Sequence, residues 1–170
     1  MADRDAVDDF VSSWRRERPD LDFAPMATIG RLGRLHLYMG RAIETVFAGH
    51  ALQIGEFDVL AALRRSGPPY EMTPTALART LMLSPAGMTN RLDRLEAAGL
   101  VERRQDRDDR RSSIITLTEA GNQAVDAAVT AHVANEAHLL AGLTRAEQRS
   151  LDQLLRKLLR HVQSVGDAAD

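Results

Sequence analysis

The sequence predicts a mainly α-helical protein with one small β-hairpin. Three observations carry that prediction. Apolar residues recur at helical spacing along most of the 170 residues. Two helix starts, Thr73-Pro74 and Ser84-Pro85, follow each other closely. The best strand-forming run, Ser113 to Leu117, comes directly after "RRQDRDDRR", a charged stretch of about the length a hairpin loop needs.

Val7, Phe10, Val11 and Trp14 hold the i, i+3, i+4, i+7 spacing of one helix face. Pro19 and Pro25 bracket the loop that follows. A long helix is expected from about Met26 to His50, with Ile29, Leu32, Leu35 and Ile43 among its apolar positions. "IGEFDVLAALRRSG" reads as a third helix, closed by Gly67-Pro68-Pro69. Thr73 and Ser84 each put a hydroxyl at the N-cap and proline at N1 of the next two helices. The second of these, "SPAGMTNRLDRLEAAG", ends on Gly99 as a C-cap. Leu100 to Arg104 and Ser113 to Leu117 are the two arms of the hairpin. Two long helices close the chain, and "TRAE" at Thr144–Glu147 is a capping box for the last.

Composition narrows the chemistry. There is no cysteine, which removes disulfides, thiolate metal sites and thiol nucleophiles. No apolar run approaches the roughly 20 residues of a membrane span, and the acidic start MADRDAVDD does not read as a secretory signal. A cytoplasmic protein fits. No HExxH, P-loop, GxGxxG or G-x-S-x-G pattern occurs, so an enzyme is not expected. His132, Glu136 and His138 are read as surface or interface residues of a helix, and neither a metal nor a cofactor is expected.

Three short helices running into a hairpin make a winged helix-turn-helix, whose second turn helix lies in the major groove of DNA. Met88, Leu92 and Leu95 form that helix's inward stripe. Ala86, Gly87, Thr89, Asn90 and Arg94 lie away from it. Asparagine and arginine pair bidentately with adenine and guanine, small residues allow close approach, and Ser84 with the first amides can hold a phosphate. A wing tip carrying Arg107, Arg110 and Arg111, with Asp109 pre-positioning an arginine, can reach the adjacent minor groove. The net charge of −2 does not oppose this, because the polarity is local: Arg79 to Arg111 holds eight arginines and six acids. A solvated charged loop and a purely structural helical dimer are the competing readings.

"LMLSPAGMTNRLDRLEAAGLVERRQDRDDRRSSIITLTEAG" resembles the recognition helix and wing of the MarR family of bacterial regulators, with the DRR…LT..G ending as the most specific mark. The resemblance covers nearly the whole chain. It implies a homodimer with interlocked first and last helices, two winged modules facing a pseudopalindromic operator, and repression as the default. Gln105 and Arg107 stand where prolines are common in the family. The implied organisation is residues 1–50 for dimerisation and ligand, 51–118 for DNA and 119–170 for dimerisation, in one compact fold. His36 is placed near the twofold axis, where acid would loosen the dimer.

The longer start, "WRRERPDLDFAPM", resembles the PecS-like, urate-responsive branch of that family. The resemblance places a ligand among Trp14, Asp58, Arg91 and Arg103. Arg91 stands out without it, because it lies i+3 from Met88 and i−4 from Leu95, at the edge of the inward stripe. An inward arginine needs a carboxylate or an anion. Asp58 is the partner proposed for the empty state, either as a structural brace or as part of a site for urate, another purine, a phenolic acid or a small carboxylate.

Overall fold

The computed structural model describes residues 4–105 and 113–167. Helices α1 (Ala6–Glu17) and α2 (Ala24–Ala48) lead into three shorter ones, α3 (Ile54–Arg65), α4 (Pro74–Thr80) and α5 (Pro85–Ala97). Helices α6 (Glu119–Leu139) and α7 (Arg145–Asp167) close the chain. Strands β1 (Glu71–Met72), β2 (Val101–Gln105) and β3 (Ser113–Leu117) form one antiparallel sheet in the order β1-β3-β2. The expected fold is present: a mainly α chain whose helix-turn-helix feeds a β-hairpin wing. Strand β1 is not among the expected elements. A two-residue strand carries no alternation to detect, and it exists only because β3 offers it a partner, Glu71 opposite Thr116 and Met72 opposite Ile115.

The chain divides into two compact units, residues 1–129 and 130–170, with the division inside α6. The first holds the main core. Leu60 and Leu63 of α3, Leu77 of α4, Met88, Leu92 and Leu95 of α5, and Ile115 of β3 are essentially inaccessible to water. Phe47 and Phe57 stack at 4.2 Å within the same cluster. The helix starts are the expected ones. Thr73 Oγ accepts from Ala76 N–H at 3.1 Å, and Ser84 Oγ accepts from Gly87 N–H at 3.2 Å. Helix α5 caps on Ala98, one residue before the expected Gly99, which instead takes the left-handed conformation (φ +69°) just past the cap.

The first helix departs from expectation. Of its four-residue stripe only Val7 and Val11 are buried, while Phe10 and Trp14 are each 43% exposed. The reason is that α1 packs along one neighbour, α2, where Val7 sits over Gly30 and Phe23 completes a small separate cluster. Ile29 and Leu35 of α2 are exposed as well, and so is His36. Helix α2 begins two residues before expectation, with Pro25 in its first turn.

Charge fastens α1 in place. Arg31 of α2 donates to Asp5 at 2.8 Å and to Asp8 at 2.6 Å, and both carboxylates also serve the α1 capping box. The Arg31 hydrogen bond is the main cause that brings Asp5 down from 3.8 to about 2. Asp8 is lowered too, first by the Asp5 amide and then by Arg31. Both acids are depressed on folding, so their contribution is present above the unfolded value and lost as pH falls through the folded one. Acidification from about pH 4 to pH 2 should therefore release α1, seen as a change in the fluorescence of Trp14, the sole tryptophan. In Arg31→Met the same transition should be weaker and less acid-shifted. An identical acid transition in that variant would remove the arginine clamp as its cause.

In the second unit, Thr144 N–H donates to Glu147 Oε2 at 2.7 Å and Glu147 N–H to Thr144 Oγ at 3.3 Å, which is the expected capping box. Leu154, Leu155, Leu158, Leu159, Val162 and Val165 make an exposed apolar stripe along α7.

Candidate nucleic-acid interface

Helix α5 is half core and half surface. Met88, Leu92 and Leu95 seat one side, while Ser84, Ala86, Thr89 and Asn90 are exposed on the other. Thr89 Oγ donates back to Pro85 C=O at 3.1 Å. The Asn90 carboxamide engages no other described residue, so its donor and its acceptor are both available to a base edge. Small residues in the first turn allow close approach, and the Gly87 amide is already held by Ser84.

Arg94, the remaining base-reading candidate on this helix, lies off the apolar stripe and is half-exposed. Its Nε donates to Glu56 Oε1 of α3 at 2.7 Å, and its Nη2 donates to Gln53 Oε1 at 3.3 Å. The long side chain lets a residue off the apolar stripe fold back along the helix flank. Glu56 is 8% exposed, the one buried charged residue among those described.

Strand β2 links the wing to this helix. Successive residues on a strand face opposite sides, and Arg103 and Arg104 show it. Arg103 reaches Asp93 Oδ1 at 2.6 Å and Glu96 Oε2 at 3.4 Å, both on α5. Arg104 pairs with Glu71 of β1. The wing is thus braced to the recognition helix on one face and to β1 on the other. The tip residues Arg107, Asp109, Arg110 and Arg111 lie outside the described residues.

The four ligand candidates are distributed as follows. Arg91 is half-buried, with its guanidinium against the first turn of α3 and Nη1 donating to Gly55 C=O at 3.4 Å. A Cβ on Gly55 would stand 2.4 Å from Arg91 Cζ, so glycine is what admits the guanidinium. Asp58 is half-buried one turn further along α3. The structure therefore brings Asp58 and Arg91 to one helix pair. Arg103 is engaged by Asp93 and Glu96 on α5, and Trp14 is stacked on Phe23 at 6.2 Å in the α1–α2 cluster. Sequence reasoning misses Gly55, Gln53, Glu56, Asp93 and Glu96. The Gln53–Glu56 capping spacing is legible, but nothing in the order of residues marks which arginine Glu56 meets.

A winged helix-turn-helix with an outward amide and small residues on its second helix defines a DNA-binding module. A family model described as "MarR family" matches residues 52–112, which run from just before α3 to the residue before β3. The chain is 42% identical over 156 residues to the HTH-type transcriptional regulator PecS of Dickeya dadantii (strain 3937), covering 92% of this chain and 94% of that protein. Among solved structures, a cysteine-to-serine mutant of MarR from E. coli complexed with operator DNA superposes with a TM-score of 0.69 at 26% identity, covering 81% of this chain and 97% of that one. Bordetella bronchiseptica BpsR, described with a mechanism for regulation of DNA binding by 6-hydroxynicotinic acid, superposes with a TM-score of 0.65 at 26% identity, covering 76% and 90%. The chain belongs to the MarR family and is a DNA-binding transcriptional regulator, not an enzyme. Among the described residues no helix is long and apolar enough to cross a membrane.

Proposed function

We propose that this protein is a cytoplasmic, homodimeric repressor that leaves a pseudopalindromic operator when a small anionic or aromatic effector binds. The observation that carries the DNA part is the exposed Asn90, whose carboxamide engages no other described residue, on the outward face of a helix whose other face is anchored in the core. Ser84, Ala86 and Thr89 complete the docking face, and Arg107, Arg110 and Arg111 with Asp109 are assigned to the wing's minor-groove contact. Dimerisation would cover the exposed apolar stripes of α2 and α7.

The effector site is assigned to Arg91 with Asp58, assisted by Arg103 and faced by Trp14. Arg91 supplies the charge that binds the anion and is adjacent in sequence to Asn90, so a pull on one moves the other. For tenfold release from DNA the effector needs to favour the free form by only about 1.4 kcal/mol. The regulation of BpsR by an aromatic acid supports an aromatic anion. Urate-like compounds rank first and aconitate-like carboxylates second.

Two variants test the two halves. Asn90→Ala should lose about 1–3 kcal/mol of discrimination at one base pair of each half-site, measured by competition among operator variants. Gly55→Ala should evict the flexible guanidinium at little cost to the fold. It should then keep DNA binding yet lose release by urate. If urate and aconitate change neither DNA affinity nor Trp14 fluorescence at millimolar concentration in the parent, the quartet is structural and the effector reading falls.

A further inference from the structure

We infer that Arg94 is a positioning residue: with Glu56 and Gln53 it locks the rotational register of the recognition helix on the first turn of α3, and it does so without touching a base. The inference rests on α5 being the helix that enters DNA.

Three observations support it. Glu56 is buried, so both its oxygens need partners. Oε2 accepts from the Gln53 amide at 2.8 Å, closing the N-terminus of α3, and Oε1 accepts from Arg94 Nε at 2.7 Å. Gln53 Oε1 takes a second Arg94 proton at 3.3 Å, so the three residues form a closed circuit. Arg94's side-on fork of Nε and Nη2 is thereby occupied, and that fork cannot also lie across a guanine.

The apolar contacts cannot do this work alone. Met88, Leu92 and Leu95 hold α5 against the core, but apolar packing is non-directional and resists a small rotation about the helix axis weakly. A charge-assisted hydrogen bond has a fixed direction and length. Asn90 and Arg94 are i and i+4, on one flank of the helix, so pinning Arg94 sets the direction of the Asn90 carboxamide. Position also favours the assignment. Bases are read by the N-terminal residues of a recognition helix, and Arg94 lies past its first two turns.

The test uses the full chain and a duplex site selected by the parent from a randomised pool. Affinities of Glu56→Gln, Arg94→Met and the double variant are measured across all single base-pair substitutions and across salt. Each single variant should bind about tenfold more weakly at every sequence, and the double no more weakly than the worse single, as for two members of one network. The salt slope should match the parent's. Asn90→Ala, run beside them, reports separately on whether α5 reads bases. Three results overturn the proposal. One is an Arg94→Met profile flattened at a single position. Another is a salt slope reduced by about 0.9, the mark of a lost phosphate contact. The third is parent-like binding by Arg94→Met or Glu56→Gln. If Glu56→Gln does not fold, the half-exposed Arg94 still accepts methionine, and its profile and slope decide alone.

Discussion

Gly121→Ala should destabilise this protein more than alanine at any other of its glycines. Gly121 is buried in the first turn of α6, and a Cβ there would lie 2.0 Å from the carbonyl oxygen of Leu100 and 3.0 Å from its carbonyl carbon. That oxygen cannot retreat, because it accepts from the Thr118 amide at 3.2 Å. The same threonine holds both sides of the junction. Its hydroxyl donates to Gly99 C=O at 2.8 Å and accepts from Gly121 N–H at 2.9 Å. Alanine therefore pries α6 from the end of the recognition helix. Overpacking against backbone belongs at or beyond the top of the usual range of about 1–3 kcal/mol, less about 1 kcal/mol recovered from helix propensity. A net loss of about 2–4 kcal/mol should appear as a lower urea midpoint at unchanged m-value. A midpoint like the parent's would mean that the junction is softer than its hydrogen bonds imply.

Leu92→Ala should produce the second large effect. Leu92 is 1% exposed at the middle of α5, between Met88 and Leu95. Truncation removes transfer free energy and leaves a cavity under the recognition helix, together about 2–5 kcal/mol. Core contacts from α3, α4 and β3 surround that cluster, so collapse is restricted and the upper half of the range is expected. Calorimetry gives the stability loss. DNA affinity measured well below the new midpoint shows whether the remaining helix still presents Asn90 correctly. A loss below about 1 kcal/mol would mean that the core repacks freely around α5.

These two sites show why part of the molecule is legible in advance. The Leu117-Thr118…Gly121 pattern marks the end of the wing, and the structure supplies its physical basis: a threonine that caps one helix while tying down the previous turn, and a glycine under a carbonyl. The Met88–Leu92–Leu95 stripe is visible because burial follows helical period. Trp14 shows the limit. Its spacing matches a buried stripe, yet one neighbouring helix covers only part of that face.

What the sequence determined by itself is what depends on near neighbours in the chain. Helix starts at Thr73, Ser84 and Thr144, the turn at Gly99 and the pairing of the wing strands all follow from caps, prolines and periodicity within a few residues. What only the tertiary structure decided is the partner of each charge. Arg91 and Arg94 lie on the same helix and have the same chemistry. Their contacts differ only because α3 brings the bare Gly55 to one and the buried Glu56 to the other. A long flexible guanidinium can reach in several directions, so its place is set by which acceptor the packing of two helices leaves within hydrogen-bonding distance, and local sequence carries no record of that distance.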